Sequence, residues 1–451
     1  MATTGTAYRL DGVYPQRQEG FFMQRIKLPA GVLSAEQARA VAGIAERFGR
    51  GELHLTSRGS IEIHWVREPA LPELKQALAA VGLTSRGACG GAVRGVSCGS
   101  PAGYPLLETL ARRLQRHFAG NPRFERLPKK FKIGLEADER SGRHLIQDVG
   151  LVLAQQDEGE GRYDVWVAGG LGREPQPGFL LVPALTGTRL IPLLEAIIRV
   201  YAAHTPAGKR LKHLARELGR EELARRIFAE PTATEELPPV GGLPEYLLAP
   251  GERLEATCFA GRLTAGELRR LADFAVRWAG GVLTVTGGQN IAFALAAGVD
   301  AAAARQALAG AGFAGSAPEE RIACRVCPGS HECLMGLAPT RDLARSILAA
   351  LGPVAATLDY ALSGCPNSCS QPQLAAVGIV TARLAAGDDG RRVPRFDLYR
   401  RTDGGLGRRV AEQLSLAELV TALRRLDRHD SDPEGEPDEA APRSAQTAAA
   451  A

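Results

Sequence analysis

The chain of 451 residues sets 55 Lys and Arg against 50 Asp and Glu, a formal charge of +5, with 45% hydrophobic and 23% charged residues. That length outgrows one core and divides into several units, each able to bury its own apolar interior. The near-balanced charge gives no footing for a nucleic-acid or membrane partner. The start, Met1-Ala-Thr-Thr-Gly5, has no basic stretch followed by an apolar one, and no apolar run reaches bilayer length, so the protein is expected to be cytoplasmic.

Phe21-Phe-Met-Gln-Arg-Ile-Lys-Leu-Pro29 reads as a strand, and Gly31-Val-Leu-Ser-Ala-Glu-Gln-Ala-Arg39 opens a helix ending near Phe48-Gly49, with Ser34 as its N-cap. Glu52 to His64 then reads as a second strand. The same order returns later in the chain. Arg253-Leu-Glu-Ala-Thr-Cys-Phe259 is followed by a helix capped by Thr264 and running to Ala279-Gly280, then by a strand over Val282 to Phe293.

A looser repeat accompanies it. Lys130-Phe-Lys-Ile-Gly134, Asp148-Val-Gly-Leu-Val-Leu153 and Tyr163 to Gly172 match, in order, Leu362-Ser-Gly-Cys-Pro366, Ala376 to Val380 and Phe396-Asp-Leu-Tyr399. The chain is thus expected to be α+β and duplicated, with two small half-units pairing into one domain and two larger α/β lobes around a pseudo-twofold axis. The expected boundaries are 1–75 and 236–315 for the half-units, 76–235 and 316–429 for the lobes, and 430–451 for a disordered tail poor in apolar surface. Helices over 190–201 and 209–218, then the Pro-rich Glu235-Glu-Leu-Pro-Pro-Val-Gly-Gly-Leu-Pro244, separate the copies.

Eight cysteines in a reducing compartment do not form a disulfide framework. Cys89, Cys98 and Cys258 are scattered, whereas Cys324, Cys327, Cys333, Cys365 and Cys369 crowd one region. Cys327-x5-Cys333 and Cys365-x3-Cys369 can supply four thiolates to an iron–sulfur cluster. Gly329, Gly364, Pro328 and Pro366 sit where tight turns would aim backbone N–H groups at the sulfurs. The rival reading, zinc on Cys324-x2-Cys327 with Cys365 and Cys369, leaves Cys333 idle.

Cys327-x5-Cys333 together with Ser363-Gly-Cys-Pro-Asn-Ser-Cys369 resembles the signature of the sirohaem-dependent nitrite and sulfite reductases, and the duplicated layout resembles theirs over about residues 10 to 425. The resemblance implies ferredoxin-like half-units. It also implies a 4Fe-4S cluster on Cys327, Cys333, Cys365 and Cys369, with Cys369 joining the cluster to sirohaem and Cys324 left as a packing thiol.

An oxyanion beside a macrocycle rich in carboxylates calls for several buried cations. The family's substrate-binding positions fall on Arg58 in Leu55-Thr-Ser-Arg58, on Arg94 in Ala92-Val-Arg-Gly-Val96, and on Lys130 and Lys132 in Leu127-Pro-Lys-Lys-Phe-Lys132. Read as a strand, that last segment puts Lys130 and Lys132 on one face, where two like charges need an anion. Gly169, Gly170 and Gly172 resemble a glycine-rich turn that lets backbone approach the ring, and Gln289 and Asn290 resemble a polar pair that contacts its carboxylates. His64 and His331 read as structural. Gly91 and Gly95 stand where the family often has Asp and Asn, and Lys129 replaces an arginine, departures that bear on fine geometry and substrate preference.

The resemblance implies six-electron reduction of sulfite, with nitrite the alternative; Lys132 favours sulfite, because nitrite-reducing members tend to carry Asn there. A precorrin-3B synthase-like monooxygenase shares the layout, and a zinc module would explain the cysteines but not the cations. Electrons must come from a ferredoxin or a flavoprotein subunit, since no Gly-x-Gly-x-x-Gly follows a strand.

Overall fold

The structure, a computed structural model, describes residues 8–99, 104–157, 160–238, 252–313, 324–352, 359–387 and 390–430. The expected tail and most of the Pro-rich connection lie outside them. Among the described residues no helix is long and apolar enough to cross a membrane.

The first half-unit runs β1 (Val13–Pro15), β2 (Phe21–Ile26), β3 (Val32–Ser34), α1 (Ala35–Phe48), β4 (Glu52–Leu55), β5 (Ile61–Arg67) and α2 (Leu71–Ala80). The first lobe follows with β6 (Ser97–Cys98), α3 (Pro105–Phe118), β7 (Ile133–Glu136), β8 (Val149–Asp157), β9 (Glu160–Val167), β10 (Phe179–Thr186), α4 (Gly187–His204), α5 (Leu211–Leu218) and α6 (Arg220–Ala229). The second half-unit holds β11 (Arg253–Ala256), β12 (Arg262–Thr264), α7 (Ala265–Trp278), β13 (Val282–Val285), β14 (Ile291–Ala294) and α8 (Ala301–Gly310). The second lobe holds β15 (Cys324–Val326), α9 (Thr340–Leu351), β16 (Tyr360–Ser363), β17 (Val377–Ala386), β18 (Arg392–Arg400), β19 (Arg408–Leu414) and α10 (Leu416–Asp430).

The half-units interlock by exchanging strands. β12 joins the first sheet beside β4, with Leu263 opposite Leu53, and β3 joins the second beside β13, with Leu33 opposite Leu283. Each short strand thereby covers the other sheet's open edge. All four leucines are buried, each worth ~2 kcal/mol of transfer from water. Ala38, Val41, Ala42 and Ala45 of α1 and Leu268, Leu271, Ala272 and Ala275 of α7 recur at helical spacing and fill the same core. Both helices open on a capping box, Ser34 with Gln37 and Thr264 with Glu267, as the serine and threonine led one to expect.

The segments expected as single strands after each helix are hairpins instead. Between β4 and β5 the chain turns over Thr56 to Ser60, with Ser60 O accepting from Thr56 N at 2.9 Å and Gly59 at a φ of +66°. Between β13 and β14 the corresponding turn carries Gln289, also at +66°. Apolar alternation continues on both sides of each turn, so the pattern conceals the break.

The lobes repeat one sheet plan. Their orders are β10-β9-β8-β7-β6 and β15-β16-β17-β18-β19, each with a parallel edge (β6, β7, β8 and β15, β16, β17) and an antiparallel remainder. The duplicated α+β architecture is therefore present at both levels.

Candidate active site

A cavity of about 430 Å³ is walled by β2, the Thr56–Ser60 turn, Arg94, Lys130, Lys132 and the loops carrying Cys327 to Gly336 and Gly364 to Ser370. The parallel neighbours β15 and β16, with Val326 opposite Leu362, end side by side, which delivers the two cysteine pairs to the same place. Cys327, Cys333, Cys365 and Cys369 all line the cavity.

The cysteine loops are close-fitted. Gly364 N donates to Cys327 Sγ at 3.2 Å, and a Cβ on Gly364 would lie 2.9 Å from both Gly329 Cα and Thr340 Cγ2. Thr340 Oγ1 donates to Cys327 O at 2.5 Å, and Ser57 Oγ donates to Cys369 O at 2.8 Å. Burial pushes the Cys327, Cys333 and Cys365 thiols up, Cys365 to about 11, and charge on Cys369 adds to each. Backbone N–H groups of Gly364, Met335 and Asn367 act the opposite way, favouring the thiolates of Cys327, Cys333 and Cys365 respectively. Thiols so crowded ionise together only around positive metal. Among the described residues no three His, Cys, Asp or Glu side chains converge on a point fit for one ion. Four thiols brought by two loops to one cavity are the donor set an iron–sulfur cluster takes. Cys324 packs on the far side, buried in the core with Ile347 and Leu348, where burial raises its thiol to about 12.

The four expected cations meet in this cavity, and they divide into two kinds. The arginines are already engaged. Arg58 donates from Nη1 to Gln147 Oε1 at 2.7 Å and from Nη2 to Gly95 O at 2.8 Å, and Arg94 donates to Ala88 O and, at 3.1 Å, to Gly90 O. Burial, reinforced by Arg94, pulls Arg58 down to about 9. Lys130 and Lys132 precede β7 instead of lying on it, and no protein acceptor meets either Nζ among the described residues. Burial lowers Lys130 to about 8, and burial with the Lys130 charge lowers Lys132 well below the usual lysine range. An anion between them restores both charges.

Of the other groups in the wall, Arg25, Glu62 and Lys27 were not singled out from the sequence, and His64 was read as structural. Arg25 on β2 pairs with the buried Glu62 at 2.5 Å, and His64 Nε2 lies 3.3 Å from the other Glu62 oxygen. Lys27, buried, also lines the cavity, and burial lowers it to about 8. The signal existed in the sequence: Arg25-Ile-Lys27 repeats the cation, apolar, cation spacing of Lys130-Phe-Lys132.

Gly169, Gly170, Gly172 and Asn290 are not among the residues lining the cavity. Gly169 and Gly170 do permit a close approach, but to Arg210: Gly169 O accepts from Arg210 Nη2 at 3.3 Å, and a Cβ on Gly170 would collide with the guanidinium. Gly172 has open space around it. Asn290 accepts from Cys258 N and donates to Glu255 Oε1, both at 2.9 Å. Gln289 borders the cavity with its amide committed to protein.

The wall also suits a flat tetrapyrrole. Leu334 and Met335, beside Cys333, are 53% and 58% exposed, large apolar side chains that a macrocycle would cover, while the cations can meet its carboxylates. Fold, thiols and cations together fit the enzyme class the resemblance implies, one that would hold a metal cluster and a tetrapyrrole.

The family models agree. Residues 14–81 match the nitrite/sulfite reductase ferredoxin-like half domain, and residues 107–235 match the nitrite and sulphite reductase 4Fe-4S domain. The chain is 27% identical to sulfite reductase (ferredoxin) 2 of Mycolicibacterium paratuberculosis, over 94% of this chain and 84% of that one. It is 28% identical to ferredoxin--nitrite reductase of Synechococcus elongatus, over 90% of this chain and 86% of the relative. The structure of the Mycobacterium tuberculosis NirA protein superposes with a TM-score of 0.79 at 22% identity, covering 97% of this chain and 89% of that chain, a likeness of fold. The chain carries two domains of the nitrite and sulfite reductases, and these with its relatives support a sirohaem-dependent oxidoreductase with a 4Fe-4S cluster.

Proposed function

We propose that the protein reduces sulfite to sulfide, with nitrite to ammonia the alternative at the same centre. The observation that carries the reading is the convergence of Lys130 and Lys132, without a protein acceptor among the described residues, with the four cysteines on one cavity. In this reading Cys327, Cys333, Cys365 and Cys369 would hold the cluster, with Cys369 also serving the sirohaem, and the two groups when bound would supply the reducing electrons.

The residues of the chain do the rest. Lys130 and Lys132 neutralise the oxyanion, and with Lys130 near 8 an ammonium can part with a proton to a departing oxygen at neutral pH. Arg58 and Arg94, tied to carbonyls, present fixed positive charge without having to reorganise. Reducing sulfite to sulfide takes up six electrons and releases three waters, so proton supply matters as much as electron supply. The relatives named ferredoxin-dependent support a ferredoxin as donor, with a flavoprotein subunit as the alternative.

The test is turnover of sulfite and nitrite by purified protein with reduced methyl viologen. Sulfide formation is expected; ammonia from nitrite with no sulfide from sulfite would refute the first choice. Lys132→Asn should raise the KM for sulfite by about tenfold or more, the loss of one charged hydrogen bond, and leave nitrite less affected.

A further inference from the structure

Gln289 is the one place where the two copies of the hairpin turn differ at a strained backbone position. Gly59 and Gln289 share a φ of +66°, which glycine adopts freely and glutamine only at a cost. The surroundings correspond as well. A Cβ on Gly59 would lie 3.3 Å from Gly31 Cα and 3.1 Å from Val285 O; a Cβ on Gly261 would lie 2.6 Å from Leu55 O and 2.9 Å from Gln289 Nε2. Gly261, itself at +67°, thus leaves room for the glutamine amide.

The amide is fully used. Nε2 donates to Leu55 O at 2.8 Å and to Val326 O at 3.1 Å, and Oε1 accepts from Val326 N at 2.6 Å. The residue is 2% exposed, His54 Nε2 also lies 3.3 Å from its Nε2, and with both N–H groups given to carbonyls it has no donor left for a macrocycle carboxylate. Leu55 ends β4 of the first half-unit, Gln289 belongs to the second, and Val326 is the residue before Cys327. One side chain therefore ties three units together at the foot of a cluster ligand.

We infer that Gln289 is a positioning residue for Cys327, bearing left-handed strain in order to hold the first cysteine loop against the half-unit pair. The inference rests on Cys327 as a cluster ligand. Residues behind metal ligands commonly change metal retention by an order of magnitude when removed.

The experiment compares holoprotein carrying Gln289→Gly, Gln289→Glu or Cys327→Ser with the wild type. It reads iron per chain, decay of cluster absorbance under chelator, the midpoint potential and EPR signal of the cluster, haem content and thermal midpoint. Gln289→Gly suits the turn, so its thermal midpoint should hold while the cluster decays about tenfold faster and its potential and EPR signal shift. Gln289→Glu keeps the acceptor for Val326 N–H but sets a carboxylate oxygen against Leu55 O and Val326 O, so its cluster should decay at least as fast as that of Gln289→Gly. Wild-type decay and potential in Gln289→Gly would overturn the inference, as would loss of haem with the cluster irons intact, which would make Gln289 a haem contact. A Cys327→Ser protein with its full iron complement would instead sink the ligand assignment.

Discussion

Replacing Arg210 by Met tests the support beneath Lys132. Arg210 and Asp148 form a bidentate pair, Nη2 to Oδ2 at 2.7 Å and Nε to Oδ1 at 3.2 Å, with side-chain exposures of 5% and 0%. Asp148 Oδ2 also accepts from Lys132 N at 2.8 Å, so the pair fixes the backbone that carries the lysine. Removing one partner strands a buried carboxylate and should cost ~4 kcal/mol, a fall of roughly 10 °C in the melting of a lobe of this size. Arg210 is one of the charges that depress Lys132, so the lysine should keep its proton to higher pH in the variant. Arg210→Met/Asp148→Leu should recover much of the loss, leaving mainly the Lys132 N–H unsatisfied, about 1–3 kcal/mol. Circular-dichroism melts of the three proteins decide it. A loss below ~1 kcal/mol in the single variant would refute the view that this pair, buried as it is, holds the lysine.

Cys369→Ser should lose the electronic coupling between cluster and haem along with cluster stability; full activity with unchanged spectra would count against its bridging role. Burial brings Lys130 to about 8, so its ammonium is present below that pH and lost above it: sulfite KM should rise above pH 8, and Lys130→Arg should carry the low KM further into alkali. Glu136 is buried and raised to about 7, chiefly by desolvation, from 4.5. The fold favours its protonated form, so the associated stability is complete below pH 4.5 and declines until pH 7, by ~3 kcal/mol. Glu136→Gln should match the wild type near pH 4.5 and exceed it above 7 in urea melts at fixed pH; a constant difference across that range would contradict it.

Much of the fold could be read from the chain because duplication states each element twice. The helices after Ser34 and Thr264 announce themselves by cap and apolar spacing, both local signals. The exchange of β3 and β12 between half-units is invisible in that pattern: three-residue strands carry little periodicity, and their partners lie more than 200 residues away. The hairpins were concealed because alternation resumes after each turn. The glycine-rich turn was legible as a close approach, but not as an approach to Arg210, a residue some 40 positions on.

The four cysteines show the division most clearly. Their spacing makes a metal site readable, since thiolates in two short pairs have few other uses. It leaves open which fifth thiol is spare; the fold buries Cys324, the first residue of β15, against Ile347 and Leu348 and sets Cys327 in the cavity wall. Likewise the resemblance, and not residue type, singles out Arg58, Arg94, Lys130 and Lys132 among 55 basic residues as anion-holding candidates; residue type supplies only their charge. Which charges stay free depends on the acceptors that distant segments bring: carbonyls for the arginines, Glu62 for Arg25, and no protein acceptor among the described residues for the lysine ammonium groups. Chemical identity is written locally, whereas hydrogen-bond partnership and desolvation are properties of what folds against it.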